Sequence, residues 1–163
     1  MSANHWVERF RLLHQQARKG LLPDSEERSY LAAREQFARA LTVAQGMSVP
    51  DNQSARRLFR VAQGLQVDLS LSSGSVRAMT LDVSVGGFSV MMHKPPPENE
   101  EPGFSLRLPG GQDPVLGRAR QVSVQRKIGT HSVFFAIEGL SAPDEARLEA
   151  TLFDLALERI KKT

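Results

Sequence analysis

The chain contains 163 residues, 40% of them hydrophobic, which suffices for one main core and only a short additional segment. Cysteine is absent, so disulfide scaffolds, thiolate metal sites and cysteine nucleophiles are excluded. The formal net charge of +3 is spread along the chain, and no polybasic tail indicates a purely electrostatic nucleic-acid or membrane mechanism. No apolar run is long enough to span a bilayer and no signal peptide is recognisable, so the sequence predicts a soluble, cytoplasmic protein.

Residues 1–47 are predicted to form a helical extension. The first helix has an apolar stripe at helical spacing, consisting of Trp6, Phe10 and Leu13. Asp24 and Glu27 have the spacing of a capping box and indicate the start of a second helix. The stripe of this second helix consists of Tyr30, Ala33, Phe37, Ala40, Ala44 and Met47. A short connection between the two segments predicts an antiparallel hairpin, whose remaining apolar surface suits a protein partner or self-association.

Residues 48–60 are predicted to be a linker that carries an arginine motif, and residues 61–163 a second domain. Six apolar runs in this second part are separated by turns rich in Gly, Pro and Ser, at residues 65–71, 76–83, 88–92, 104–108, 115–125 and 131–138. Six strands without an intervening helix predict an antiparallel sheet that closes on itself or folds over. In the fifth run the inward-facing parity changes between Ala119 and Val122, which predicts a bulge.

The last segment is predicted to be a helix that closes the domain. Ser141 suits the N-cap, and acidic residues follow it while basic residues end the segment. One apolar stripe consists of Leu148, Leu152 and Leu155, and a second of Phe153, Leu157 and Ile160. Because this apolar arc is wider than one barrel surface requires, part of it is expected to face the N-terminal helices or another subunit.

No constellation of residues typical of an enzyme is present. The histidines lack metal-ligand spacing and are expected to be surface residues: His5, His14, His93 and His131. The serines lack a nucleophile-elbow motif, and the glycines form neither a P-loop nor a dinucleotide fingerprint. The sequence therefore predicts a non-catalytic protein without a metal or a cofactor.

Two short sequence patterns contain polar and charged residues that are suited to binding a ligand. The first, in residues 55–61, contains Arg56, Arg57 and Arg60, and taken alone it is a basic lead-in to the first strand. The second, in residues 82–87, ends the second strand and enters a tight turn. Taken alone, it is a hairpin whose Asp and Ser bond their own backbone.

Together, the RxxxR motif of Arg56 and Arg60 and the DxSxxG motif of Asp82, Ser84 and Gly87 resemble those of PilZ domains. The resemblance covers about residues 54–160 and does not include residues 1–47. It implies a mainly β, α+β fold, with a six-stranded antiparallel barrel and a C-terminal helix, that binds cyclic di-GMP, a bacterial second messenger.

The resemblance also implies the role of each motif residue. Arg56 and Arg60 would clamp the phosphates and bases, with Arg57 as an auxiliary ligand contact. Asp82, Ser84 and Gly87 would form the guanine pocket. The chemistry fits, because an arginine can fork onto guanine or phosphate or stack on a base, and a carboxylate accepts from the guanine N1 and N2 hydrogens. The small Ala55 before the motif leaves open whether one or two ligands bind.

The sequence therefore predicts a cyclic di-GMP receptor. We expect residues 46–60 to become ordered on binding and to move the N-terminal helices. One alternative is a PilZ-like interaction module that binds no ligand. Another is a single-stranded nucleic-acid-binding barrel, which would need exposed aromatic platforms. The downstream partner and the oligomeric state stay open.

Overall fold

The structure is a computed structural model that describes residues 4–49, 54–98 and 100–161. The chain divides into two compact units, one from the described residues of Met1–Phe59 and Leu157–Thr163 and one from Arg60–Ala156. The predicted boundaries at residues 47 and 60 stay a prediction.

The helical unit contains α1 (Asn4–Arg18), α2 (Asp24–Ala44) and a 3₁₀ turn (Ala55–Arg57). An aromatic cluster lies between the two helices, with the ring centroids of Phe10 and Phe37 4.8 Å apart. The predicted hairpin of two helices is therefore present, and α1 begins and ends close to where the pattern indicates.

The predicted stripe of α2 is wrong in its second half. Tyr30 and Phe37 are buried as expected, but Ala40 and Ala44 are exposed, and the buried positions are Ala38 and Thr42. Alanine is a weak indicator of which side of a helix is buried, because its side chain is small. Thr42 can be buried because its hydroxyl donates to the carbonyl of Ala38 at 2.8 Å.

Two further expectations in the helical unit are corrected. Pro23, and not an acidic residue, takes the N-cap position of α2, and no side chain caps that end, so Asp24 lies inside the first turn. His14 was expected at the surface but is only 2% exposed. Its Nδ1 lies 2.8 Å from the Tyr30 hydroxyl, which provides the hydrogen bond that a buried imidazole needs. The side chain of His5 lies outside the described residues.

The barrel unit confirms the six predicted strands. They are β1 (Gln66–Leu71), β2 (Gly74–Ser84), β3 (Gly87–Met92), β4 (Gly103–Leu106), β5 (Val115–Lys127) and β6 (Thr130–Glu138). All pairs are antiparallel, and the order β1-β2-β3-β6-β5-β4 closes into a barrel. The interior is apolar, and Phe88 packs against Phe104 and Phe135 at centroid distances of 5.4 and 5.6 Å.

Two irregularities bend the sheet. The ladder between β5 and β6 shifts register between Gln121 and Ser123, where the sequence predicts a bulge. Val122 nevertheless does not turn inward, since it is 51% exposed. A second shift lies in β2 between Thr80 and Asp82 and was not predicted.

The barrel unit also contains most of the closing helix α3 (Ala142–Lys161). As predicted, Ser141 caps it, because its hydroxyl accepts from the amide of Asp144 at 3.2 Å. Leu148 and Leu152 are fully buried, whereas Leu155 is only half-buried. Arg147, in the second turn, ties the start of the helix to the segment before β5 by donating to the carbonyl of Asp113 at 2.6 Å.

Candidate functional site

The hairpin of β2 and β3 fixes the position of Asp82. Its two-residue turn pairs Ser84 with Gly87, and the register therefore places Asp82 opposite Ser89. The Ser89 hydroxyl donates to Oδ1 of Asp82 at 2.8 Å. This contact orients the carboxylate at a point where the bulge in β2 changes the direction of the side chains.

Arg60 is brought to Asp82 by the chain that precedes the first strand. Val61 and Val83 exchange two backbone hydrogen bonds of 2.9 Å in an antiparallel bridge, which makes Arg60 and Asp82 diagonal neighbours across it. Nη1 of Arg60 lies 3.6 Å from Oδ2 of Asp82. The guanidinium carbon of Arg60 lies 4.7 Å from the ring centroid of Phe134, in cation–π geometry.

These groups line an open groove of about 600 Å³ on the outside of the barrel. Its walls include apolar side chains from three strands, those of Leu81, Met91 and Val122. Its polar side chains include Gln125 and Lys127 of β5 and Ser132 of β6. The volume lies within the range of roughly 300–1,000 Å³ that is typical of small-molecule sites. The side chains of Arg60 and Asp82 are 41% and 28% exposed, so both are accessible to a ligand.

Ser84 and Gly87 lie below this surface and support it. The Ser84 hydroxyl is buried and donates to the carbonyl of Gly87 at 3.2 Å, which closes the hairpin turn. A Cβ on Gly87 would lie 2.5 Å from the carbonyl oxygen of Phe135 and 2.7 Å from the ring of Phe134. Gly87 is thus required by the close approach of β6, and its φ is not positive.

Arg56 and Arg57 lie on the 3₁₀ turn and belong to the helical unit. Arg57 is exposed, whereas Arg56 is half-buried and its Nε donates to the Ser54 hydroxyl at 3.1 Å. The fold therefore assigns the two arginines of the RxxxR motif to different units, with Arg60 in the barrel.

Sequence reasoning missed two residues of this site. Ser89 could have been found, because a two-residue turn after Ser84 sets the register and pairs Asp82 with residue 89. Phe134 could also have been found, because consecutive residues of a strand point to opposite faces. One of Phe134 and Phe135 must therefore face outward, and it is Phe134, which is half-buried while Phe135 is fully buried.

The described part of the chain contains no group of three or more His, Asp or Glu side chains that could hold a metal ion. None of its helices is both long enough and apolar enough to cross a bilayer.

Several solved structures share this fold. YcgR of Escherichia coli in complex with c-di-GMP is 22% identical, with a TM-score of 0.56 over 66% of this chain and 48% of that one. The inhibitor of motility MotI/DgrA of Bacillus subtilis is 17% identical, with a TM-score of 0.54 over 71% and 58%. MrkH of K. pneumonia in its apo state is 18% identical, with a TM-score of 0.56 over 72% and 57%. The chain thus matches only about half to three-fifths of the length of these proteins.

The family assignment comes from the sequence itself. No curated protein matches the chain. A family model described as PilZ domain matches residues 54–154, which include both motifs, all six strands and most of α3. This range is more than half of the chain and agrees with the resemblance predicted over residues 54–160. The chain belongs to the PilZ domain family.

Proposed function

We propose that this chain is a non-catalytic receptor for cyclic di-GMP in the bacterial cytoplasm. The observation that carries the proposal is the arrangement of Arg60, Asp82 and Phe134 at one groove. A cationic fork, an acceptor carboxylate and an aromatic ring can each contact a guanine nucleotide: the fork its phosphate or base, the carboxylate its N1 and N2 hydrogens, and the ring its base or the arginine stacked on it.

The geometry of the Arg60–Asp82 pair favours replacement by a ligand. At 3.6 Å the two groups are farther apart than in a tight charge-assisted hydrogen bond, which is about 2.7–2.9 Å long. Both are partly exposed, so their attraction contributes little on its own. Guanine can accept from Arg60 at O6 and N7 and can donate to Asp82 from N1 and N2, which satisfies both partners.

The remaining motif residues have distinct proposed roles. Arg56 and Arg57 precede Arg60 by four and three residues, and they are proposed to contact the same ligand. Ser84 and Gly87 act by holding the hairpin and by leaving room for Phe134. The proposal needs neither a cofactor nor a metal.

The second part of the proposal concerns signal output. Binding is proposed to order residues 46–60 and to change the position of the N-terminal helices, which then contact a partner protein or a second copy. A ligand can drive this change only through unequal affinity for the two arrangements. Contacts of Arg56 and Arg57 that form only in the bound arrangement would supply that difference.

Isothermal titration calorimetry with cyclic di-GMP tests the receptor proposal. We expect a saturable isotherm, and Arg60→Ala or Arg56→Ala should weaken binding by about 1.5–3 kcal/mol each, the range for hydrogen bonds to charged groups. Arg77→Ala is the matched control, because Arg77 lies on the same barrel and is ion-paired with Asp68 at 3.1 Å.

The same titration separates the alternatives. No heat with cyclic di-GMP would support an interaction module without a ligand. Binding of a single-stranded oligonucleotide in its place would support the nucleic-acid alternative. Wild-type affinity in the Arg56→Ala/Arg60→Ala double variant would contradict the site assignment.

A further inference from the structure

The middle of α2 carries a carboxylate that none of the motifs accounts for. Both oxygens of Glu35 lie 3.1 Å from the backbone nitrogen of Ala55, which donates to them. Ala55 is completely buried, so an amide without this acceptor would cost roughly 1–3 kcal/mol. Glu35 therefore holds the start of the 3₁₀ turn that carries Arg56.

A second contact extends from Glu35 toward the arginine. The Ser54 hydroxyl lies 3.4 Å from Oε2 of Glu35, to which it donates. The hydroxyl oxygen of Ser54 in turn accepts from the backbone nitrogen of Arg56 at 3.2 Å and from its Nε at 3.1 Å. A serine hydroxyl has one hydrogen and two lone pairs. With the hydrogen directed to Glu35, both lone pairs are directed to Arg56.

We propose that Glu35 is a positioning residue for Arg56 and that it couples α2 to the ligand-binding arginine through Ser54. This inference rests on the proposed function, since it requires Arg56 to contact cyclic di-GMP. All of the atoms involved lie within the helical unit. Because one edge of the Arg56 guanidinium is fixed before binding, less side-chain entropy is lost on binding. The contact with Glu35 through Ser54 therefore raises the affinity for cyclic di-GMP.

The coupling is reciprocal. If Glu35 favours the arrangement of Arg56 that binds ligand, then bound ligand must favour the Glu35 contact by the same factor. The state of the site is thereby communicated to α2, which gives the proposed helical output a specific atomic route.

A double-mutant cycle tests this inference. Cyclic di-GMP affinity is measured by calorimetry for the wild type, Glu35→Ala, Arg56→Ala and the double variant. Glu35→Ala should weaken binding roughly three- to ten-fold, the effect of one lost hydrogen bond of ordinary strength. In the Arg56→Ala background, its effect should fall below about two-fold, because the residue that it positions is gone.

Three further variants sharpen the test. Glu35→Gln keeps one acceptor oxygen for the Ala55 amide and should restore part of the affinity. Glu26→Ala removes an exposed carboxylate from the same helix and should leave affinity unchanged. Ser54→Ala breaks the relay without altering α2, and it replaces Glu35→Ala if that variant does not fold.

The outcomes are distinguishable. Equal losses from Glu35→Ala in both backgrounds would mean that Glu35 only stabilises the fold, and the inference would be wrong while the receptor proposal stands. Absence of binding by the wild type would instead reject the receptor proposal, and this inference with it.

Discussion

The two arginines of the RxxxR motif are attached to the molecule in different ways. Arg60 is next to a backbone bridge between Val61 and Val83, and its partner Asp82 lies in a hairpin of a closed barrel. Arg56 lies on a 3₁₀ turn of three residues, which Glu35 and Ser54 hold with a few hydrogen bonds. One arginine is therefore on a closed sheet of paired strands, and the other is on a short turn that side-chain hydrogen bonds attach to α2.

This difference suggests that Arg60 and Arg56 have different roles in ligand binding. Under the proposed function, a ligand that contacts both arginines would be recognised by Asp82 and Phe134 of the barrel. Its contact with Arg56 would carry the response to the turn and to α2.

Gly87→Ala should have the largest effect on stability, because it disrupts the barrel that carries Arg60 and Asp82. The added Cβ would meet backbone of β6 at 2.5 Å, which a strand in the middle of a barrel cannot easily relieve. We expect a loss of about 3 kcal/mol in the free energy of unfolding, measured by chemical denaturation. Gly103→Ala is the control, since its Cβ would have no neighbour closer than 3.9 Å. Equal stability of the two variants would contradict this explanation of Gly87.

Asp82→Ala should reduce discrimination between cyclic di-GMP and cyclic di-AMP. It removes the acceptor for guanine N1 and N2 hydrogens and leaves the arginines in place. We expect the affinity ratio of the two ligands to narrow by about 2 kcal/mol, which is more than ten-fold. Asp68→Ala serves as the control, because Asp68 pairs with Arg77 on an exposed part of the sheet. Unchanged discrimination would show that Asp82 is only a turn residue.

Hydrogen exchange with and without cyclic di-GMP compares the two sides directly. Amides in residues 48–60 should exchange about ten-fold more slowly with ligand, which corresponds to roughly 1.4 kcal/mol of added protection. The amides of Val61 and Val83 already bond each other's carbonyls and should change little. Unchanged exchange across residues 48–60 at saturating ligand would reject the ordering mechanism.

Replacing Asp144, whose carboxylate pairs with Arg147, should have the smallest effect on stability. The hydrogen bond from Arg147 lowers the pKa of Asp144 below its ordinary value, and the nearby charge of Arg147 acts in the same direction. A lowered pKa in the folded state means that this contribution is present above the ordinary Asp pKa of about 3.9 and is lost as the pH falls below it.

The wild type should lose free energy of unfolding as the pH falls below about 4, and Asp144→Asn should reduce that loss. The reduction should be less than about 1 kcal/mol, because the Asp144–Arg147 pair is partly exposed. Thermal unfolding followed across this pH range measures the effect. A decline as steep as that of the wild type would assign the acid sensitivity to other groups.

The barrel was predictable because its signals are local. Alternating apolar residues and turn residues specify each strand from its own segment, and the two-residue turn after Ser84 sets the register near the site. Of the residues that the family motifs predict for the site, the hairpin positions Asp82, Ser84 and Gly87, and their role in binding stays a prediction. The bulge before Asp82 was missed, since no change of apolar pattern accompanies it.

The helical unit was less predictable because its key contacts join distant residues. Glu35 and Ala55 are separated by 20 positions, and no periodicity links them. His14 is buried because Tyr30, on the other helix, offers a hydroxyl. The spacing of the alanines in α2 predicted an apolar stripe. Because alanine side chains are small, the buried side of the helix depends on what packs against it and not on the alanines.

The closure of the barrel restricts how a partner protein can recognise it. Each of the six described strands is hydrogen-bonded to a neighbour on both sides, including the pair β1 and β4 that completes the ring. Recognition by adding a strand of the partner to a sheet edge requires unpaired backbone groups along such an edge. Where a strand is paired on both sides this sheet presents none, whereas residues 120–127 of β5 are paired only with β6 among the described strands. A partner strand could therefore add along such a segment, and elsewhere a partner must recognise the barrel through side chains on its outer face.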